Sequence, residues 1–212
     1  MVLISGMFGQ AQPVMLAFPY ERPMFMREYS TGTYGVTAYF LSKLLLELPL
    51  TFIQSLVTMI ICFFMLNLRG NFMVLTLAMF ALGACSCSVA LCLGCTVANV
   101  KDVTEMAPLL FVPQMLFVGF FIATSQIPIF LRWAQYLCSL KYAMNIVLLS
   151  EFSLSNKSCK GPGASANCSR ILESNQIHVE DMYVYIILLF VIFAAFRLLA
   201  GIILAQKAKK FY

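Results

Sequence analysis

Long stretches of this chain carry almost no charge. Residues 36–66 and 72–98 are nearly unbroken apolar runs, and a third closes the chain over 183–205. A helix rises 1.5 Å per residue, so about 20 apolar residues cross the hydrocarbon core of a bilayer. The pattern predicts an all-α, polytopic transmembrane bundle of about five spans, at approximately 1–18, 34–66, 72–98, 103–123 and 182–205. Residues 1–212 read as one membrane domain. Three features stand out between the spans: a charged segment at 20–30, tight polar turns near 67–71 and 99–102, and one long loop at 124–181.

Local chemistry refines this picture. The segment Tyr20–Thr33 holds Glu21, Arg22, Arg27 and Glu28 among aromatic and apolar residues, which predicts an amphipathic interfacial helix over 20–30. Pro49 is expected to kink the second span near its start, and Pro108 with Pro113 to bend the fourth. Ala90, Gly94 and Ala98 recur every four residues, a spacing that lets helix backbones approach closely in lipid. Arg132, Lys141 and Glu151 interrupt any full span in the long loop, so Ile127–Phe152 is expected to lie in or re-enter the interface. The first apolar stretch lacks a basic lead and a clean cleavage site, so it reads as the end of a span whose start is missing.

Composition agrees with a membrane. Charged residues are 11% of the chain and the mean hydropathy is +0.88, too apolar to clothe a soluble surface. The formal charge of +5 comes from 14 basic and 9 acidic residues. They sit in short loops and at the tail, as membrane topology requires, and form no nucleic-acid patch. Lys207–Lys210 and the loop with Arg22 and Arg27 fall on one side if four spans separate them, which predicts that side to be cytoplasmic. The long loop then lies outside, with the sequons at Asn156 and Asn167 as glycosylation candidates. Cys159 and Cys168 lie in that oxidising compartment and are expected to form a disulfide. Cys138 is a candidate to pair there or to cross-link a second subunit.

Chemistry of the enzymatic kind is not legible. Cys92 and Cys95 have a metal-like spacing but no nearby histidine, and no metal site is expected. His178 reads as a solvated loop residue. The chain has no G-x-x-x-x-G-K-[ST] phosphate loop and no catalytic motif, so it is not expected to hydrolyse a nucleotide.

An ordered set of motifs then carries a resemblance. Glu21-Arg22-Pro23-Met24-Phe25-Met26-Arg27-Glu28 is followed by Gly32-Thr33-Tyr34, by Tyr39-Phe40-Leu41-Ser42-Lys43 and by Glu47-Leu48-Pro49. Gln135-Tyr136, Lys141-Tyr142, Asn145 and Glu151-Phe152 come later. Together they resemble the ABC-2 type membrane domain of G-subfamily ABC transporters, the White and pleiotropic-drug-resistance group. The resemblance covers nearly the whole chain. It implies helices two to six of six, without the first helix and without the ATPase domain. It implies that residues 20–30 are a coupling helix, with Glu21, Arg22, Arg27 and Glu28 contacting an ATPase. It implies a substrate cavity at a two-fold axis, lined by Phe8, Gly9, Gln12, Pro108, Phe111, Val112 and Met115. It places an outer gate at Phe120 and Phe121.

The function so implied is ATP-driven export of lipids, sterols or hydrophobic small molecules. No cofactor is expected in the chain itself; ATP and Mg would enter through an ATPase on the same parent chain or a separate one. A second transmembrane subunit, as homo- or heterodimer, membrane lipids and a hydrophobic substrate are the other expected partners. Nucleic acid is not. The plasma membrane is the expected location, with an internal membrane as the alternative. Two rival readings remain: a stand-alone ABC-2 permease with a separate ATPase, and a non-transporting membrane scaffold or receptor.

Overall fold

The computed structural model describes residues 1–68, 70–97, 100–118, 136–152 and 182–210. These residues form six helices: α1 (Val2–Ser30), α2 (Val36–Leu66), α3 (Phe72–Thr96), α4 (Val100–Phe117), α5 (Ser139–Phe152) and α6 (Met182–Lys210). Four of them, α1, α2, α3 and α6, are long and apolar enough to cross a membrane. The described part of α4 carries Lys101, Asp102 and Glu105 in its first turns and does not meet that measure. The chain is an integral, multi-pass, all-helical membrane protein.

α3 is the hub. It packs against each of the other five helices and is buried along most of its length. A helix that is apolar all round belongs inside a bundle. In lipid there is no hydrophobic drive between helices, so close backbone approach matters most. Gly83 and Gly94 provide it. A methyl group on Gly83 would lie 1.2 Å from Gln10 Oε1, and one on Gly94 would lie 2.8 Å from Phe18 Cδ1. Ala90 of the expected small-residue row is fully buried, whereas Ala98 lies outside the described residues.

α1 buries a stripe at Leu3, Met7, Gln10, Ala11, Met15 and Phe18, the three-and-four spacing of one helical face. Sequence reading divides this region into a span at 1–18 and a separate interfacial helix at 20–30. The structure corrects that boundary: the helix continues through Pro13, Pro19 and Pro23 to Ser30. Proline removes the hydrogen bond to the carbonyl four residues back. For Pro13 that carbonyl is Gly9 O, and the Gln54 side chain of α2 donates to it instead, at 3.2 Å.

A second difference concerns 124–181. Residues 139–152 of that expected loop form α5, whose Leu140, Tyr142, Ala143, Ile146 and Leu149 are buried against α3 and α6. The segment is helical and packs into the bundle. Its end is tied to the α2–α3 turn by the Gly70 amide, which donates to Glu151 Oε2 at 2.7 Å. Cys138, expected to pair or cross-link, is buried, and its Sγ donates to Gln114 O at 3.2 Å. Burial pushes this thiol up to about 11, which keeps it protonated at neutral pH.

Candidate substrate groove and coupling end

α1 and α4 meet along a groove of about 220 Å³, lined by Phe8, Ala11, Gln12, Met15, Thr104, Ala107, Pro108 and Phe111. Phe8 and Phe111 face each other across it, with ring centroids 5.2 Å apart. Phe111 is buried, anchored in the main core, while Phe8 is 36% exposed at the rim. Pro108 frees the Thr104 carbonyl, which lies on the groove wall one turn before it.

Four of the seven cavity candidates from the sequence therefore line this groove: Phe8, Gln12, Pro108 and Phe111. The other three lie elsewhere. Gly9 faces α2 through Gln54, Val112 is 45% exposed on the outside of α4, and Met115 packs against the core. Phe120 and Phe121, Cys159 and Cys168, and Asn156 and Asn167 lie outside the described residues. The groove is predominantly apolar, with Gln12 and Thr104 as its polar lining side chains.

The far end of α1 is built differently. Phe25 is buried among Tyr29, Tyr34 and Tyr39, at centroid distances of 5.9, 6.1 and 4.5 Å. This aromatic cluster clamps the end of α1 to the start of α2. Glu21 is held from α2 by an ion pair with Lys43 and by the Tyr39 hydroxyl, which donates at 3.1 Å. Arg22 donates to Val97 O at 3.0 Å, and Lys207 donates to Thr96 O. Both cations thus sit on the carbonyl end of α3, where its dipole favours positive charge. Glu28 accepts from the Tyr34 hydroxyl, and that bond raises the phenol above its ordinary range. Arg27 and Glu28 are exposed. Two of the four coupling candidates, Glu21 and Arg22, are therefore fastened into the bundle, and two project from it.

Sequence reasoning missed one charged pair. Glu47 of α2 and Arg197 of α6 form a buried ion pair, each residue 8% exposed. Lone charges inside apolar runs are the signal that finds such a pair: each is costly in lipid unless it meets the other. Arg197 also lies over the Phe193 ring at 5.6 Å from its centroid. Around the pair runs a polar ladder. Thr51 donates to Glu47 O at 2.7 Å, Ser55 to Thr51 O at 2.7 Å, and Gln10 Nε2 to Ser55 Oγ at 2.9 Å. Among the described residues no group of three or more potential ligands could hold a metal ion.

The ABC-2 type transporter family matches residues 1–152. The chain belongs to the ABC-2 type transporter family. The Drosophila melanogaster protein white is 29% identical over 206 residues, which cover 91% of this chain and 29% of that protein. A broad substrate specificity ATP-binding cassette transporter of Rattus norvegicus is 33% identical over 156 residues, 71% of this chain and 23% of its own. ABC transporter G family member 22 of Arabidopsis thaliana is 28% identical over 141 residues, 65% of this chain and 18% of its own. The G-subfamily resemblance carried by the Glu21–Pro49 motifs is shown by these relatives. The chain spans less than a third of the length of each.

Proposed function

We propose that this chain is the membrane-embedded part of an ATP-driven exporter of lipids, sterols or other hydrophobic small molecules. One observation carries the reading. A single helix, α1, lines the apolar groove at Phe8 and Gln12 and ends in the exposed charges Arg27 and Glu28. Phe8 and Glu28 are 20 positions apart, about 30 Å along a helix. The helix is continuous between them, through Pro13, Pro19 and Pro23, so a push on the charged end is carried to the groove along one element. The tyrosine cluster around Phe25 makes α2 move with it.

In this mechanism an ATPase domain, on the same parent chain or separate, engages Arg27 and Glu28 and supplies the chemistry of ATP and Mg. The chain's own residues bind and orient the substrate. Phe8 and Phe111 stack on it, Gln12 and the Thr104 region offer a few polar contacts, and the apolar walls exclude water. The groove opens at the rim through Phe8, so a second transmembrane subunit facing it would enclose the substrate.

The reading is tested by binding. An apolar fluorophore should quench on titration with the reconstituted chain, and Phe8→Ala should weaken that binding by about tenfold, the loss of roughly one aromatic contact. Phe8 is at the rim, so the variant should unfold at nearly the same temperature as the parent. Unchanged affinity in Phe8→Ala would remove the groove from the account. Substitution of Val112, outside the groove, serves as the matched control and should leave affinity unaltered.

A further inference from the structure

A second cavity lies on the other side of α1, between α1 and α2, with a volume of about 600 Å³. Its apolar wall is built by Pro13, Val14, Ala17, Leu46, Leu50 and Ile53. Leu46, Leu50 and Ile53 are 66, 67 and 58% exposed, so its mouth opens on the outer face of this chain, away from the α1–α4 groove. Cavities of this size hold small apolar ligands.

Its polar lining is nearly all committed. Lys43 is on Glu21, Thr51 donates to Glu47 O, Gln54 donates to Gly9 O, and Cys87 donates to Gln10 O at 3.2 Å. Gln10 spends its Nε2 on Ser55 and lays its Oε1 over the bare Cα of Gly83. One group is left. Glu47, 8% exposed, gives Oε2 to Arg197, and among the described residues its Oε1 has no hydrogen-bond partner. A buried carboxylate oxygen in a low-dielectric site needs a donor.

The charge balance specifies which donor. Glu47 is already neutralised by Arg197, and Lys43 by Glu21. A protonated amine would add an uncompensated charge inside the membrane, whereas a hydroxyl donates without adding any. We propose that this cavity takes an apolar molecule of the bilayer bearing a hydroxyl group, which donates to Glu47 Oε1 while the apolar body lies against Val14, Ala17 and Leu50. The α1 helix then has a ligand on each face, one in the α1–α4 groove and one held from the lipid side. This inference rests on the membrane placement and stands or falls separately from the transport reading.

The test is photolabelling of the chain in lipid nanodiscs with a long-chain alcohol that carries a diazirine, followed by peptide mapping. The expected result is saturable labelling confined to the segments 10–17 and 43–54. Unlabelled dodecanol should compete about tenfold better than its methyl ether, since the ether lacks the donor to a charged acceptor. Ala17→Phe fills the cavity without touching Glu47 and should abolish the saturable labelling; if it does not fold, Val14→Leu is read in the same way. Equal competition by the ether overturns the hydroxyl contact. Labelling spread over the exposed face of α2 out to Phe64 and Met65, or labelling unchanged in the cavity-filling variant, overturns the site. Phe8→Ala, in the opposite groove, should leave this labelling untouched.

Discussion

Arg197→Met should sharply destabilise the protein, by about 3–5 kcal/mol, the usual cost of leaving one member of a buried ion pair without its counter-charge. The substitution keeps an unbranched chain of similar reach, so the lost volume is small. What it leaves behind is the Glu47 carboxylate, buried between α2 and the bundle with both oxygens lacking a charged partner. The double variant Glu47→Gln/Arg197→Met removes both charges and should regain most of the loss. Thermal unfolding of the parent, the singles Arg197→Met and Glu47→Gln, and the double variant in nanodiscs reads the coupling directly. A double variant as unstable as the sum of the two singles would show that the pair contributes nothing as a pair.

Gly94→Val is the second large effect expected, and it acts by shape. A Cβ at Gly94 meets Phe18 Cδ1 at 2.8 Å and Phe18 Cβ at 3.2 Å, and Phe18 is fully buried with no free space to turn into. Overpacking of this kind costs about 1–3 kcal/mol. Here it also pushes α1 off α3, the contact on which the bundle is organised. Shortening the opposing side chain in Phe18→Leu/Gly94→Val should recover part of the loss. Gly201 of α6 supplies the contrast, because nothing lies within 4 Å of a Cβ placed there. Gly201→Ala should be neutral or slightly stabilising, as alanine is the better helix former. Equal effects at Gly94 and Gly201 would mean that close α1–α3 packing does not hold the bundle.

Much of the architecture was legible from charge-free length alone. α2 at Val36–Leu66 and α3 at Phe72–Thr96 fall within two residues of the expected spans, because long apolar runs leave little choice. α6 reaches five residues beyond the expected 205, to Lys210, since lysines near a helix end continue a helix as readily as they end a span. The boundary near residue 19 was misplaced for a physical reason. Three prolines and a burst of charge signal a break, but Gln54 repairs the Gly9 carbonyl, and Phe25 has aromatic neighbours that hold the helix end in line. Gln54 and the Tyr39 ring both come from α2, and no pattern local to α1 reveals them. α5 was hidden by Lys141 and Glu151, which read as interruptions of a span, whereas Glu151 serves the Gly70 amide at the helix end.

The candidate groove was legible in part. Phe8, Gln12, Pro108 and Phe111 lie together, while Gly9 turns to α2 and Val112 turns outward. A one-residue step on a helix moves a side chain by about 100°, so a cavity list drawn from consecutive positions always includes some that face away. The Glu47–Arg197 pair joins residues 150 positions apart. Its two halves are visible as isolated charges, but only the packing of α6 beside α2 brings them into contact.

In the proposed mechanism the charged end of α1 passes the work of an ATPase to the groove. The most direct measurement is ATP-dependent uptake of an apolar fluorophore into inside-out vesicles that hold this chain with an ABC-type ATPase. It is made with the parent and with Arg27→Glu. Arg27 is exposed at the end of α1 and no part of the groove. The account predicts that uptake in the variant falls by about tenfold or more, equivalent to at least 1.4 kcal/mol of coupling, at equal protein abundance and equal fluorophore affinity. Uptake at the parental rate in Arg27→Glu, or uptake that proceeds without ATP, would contradict it.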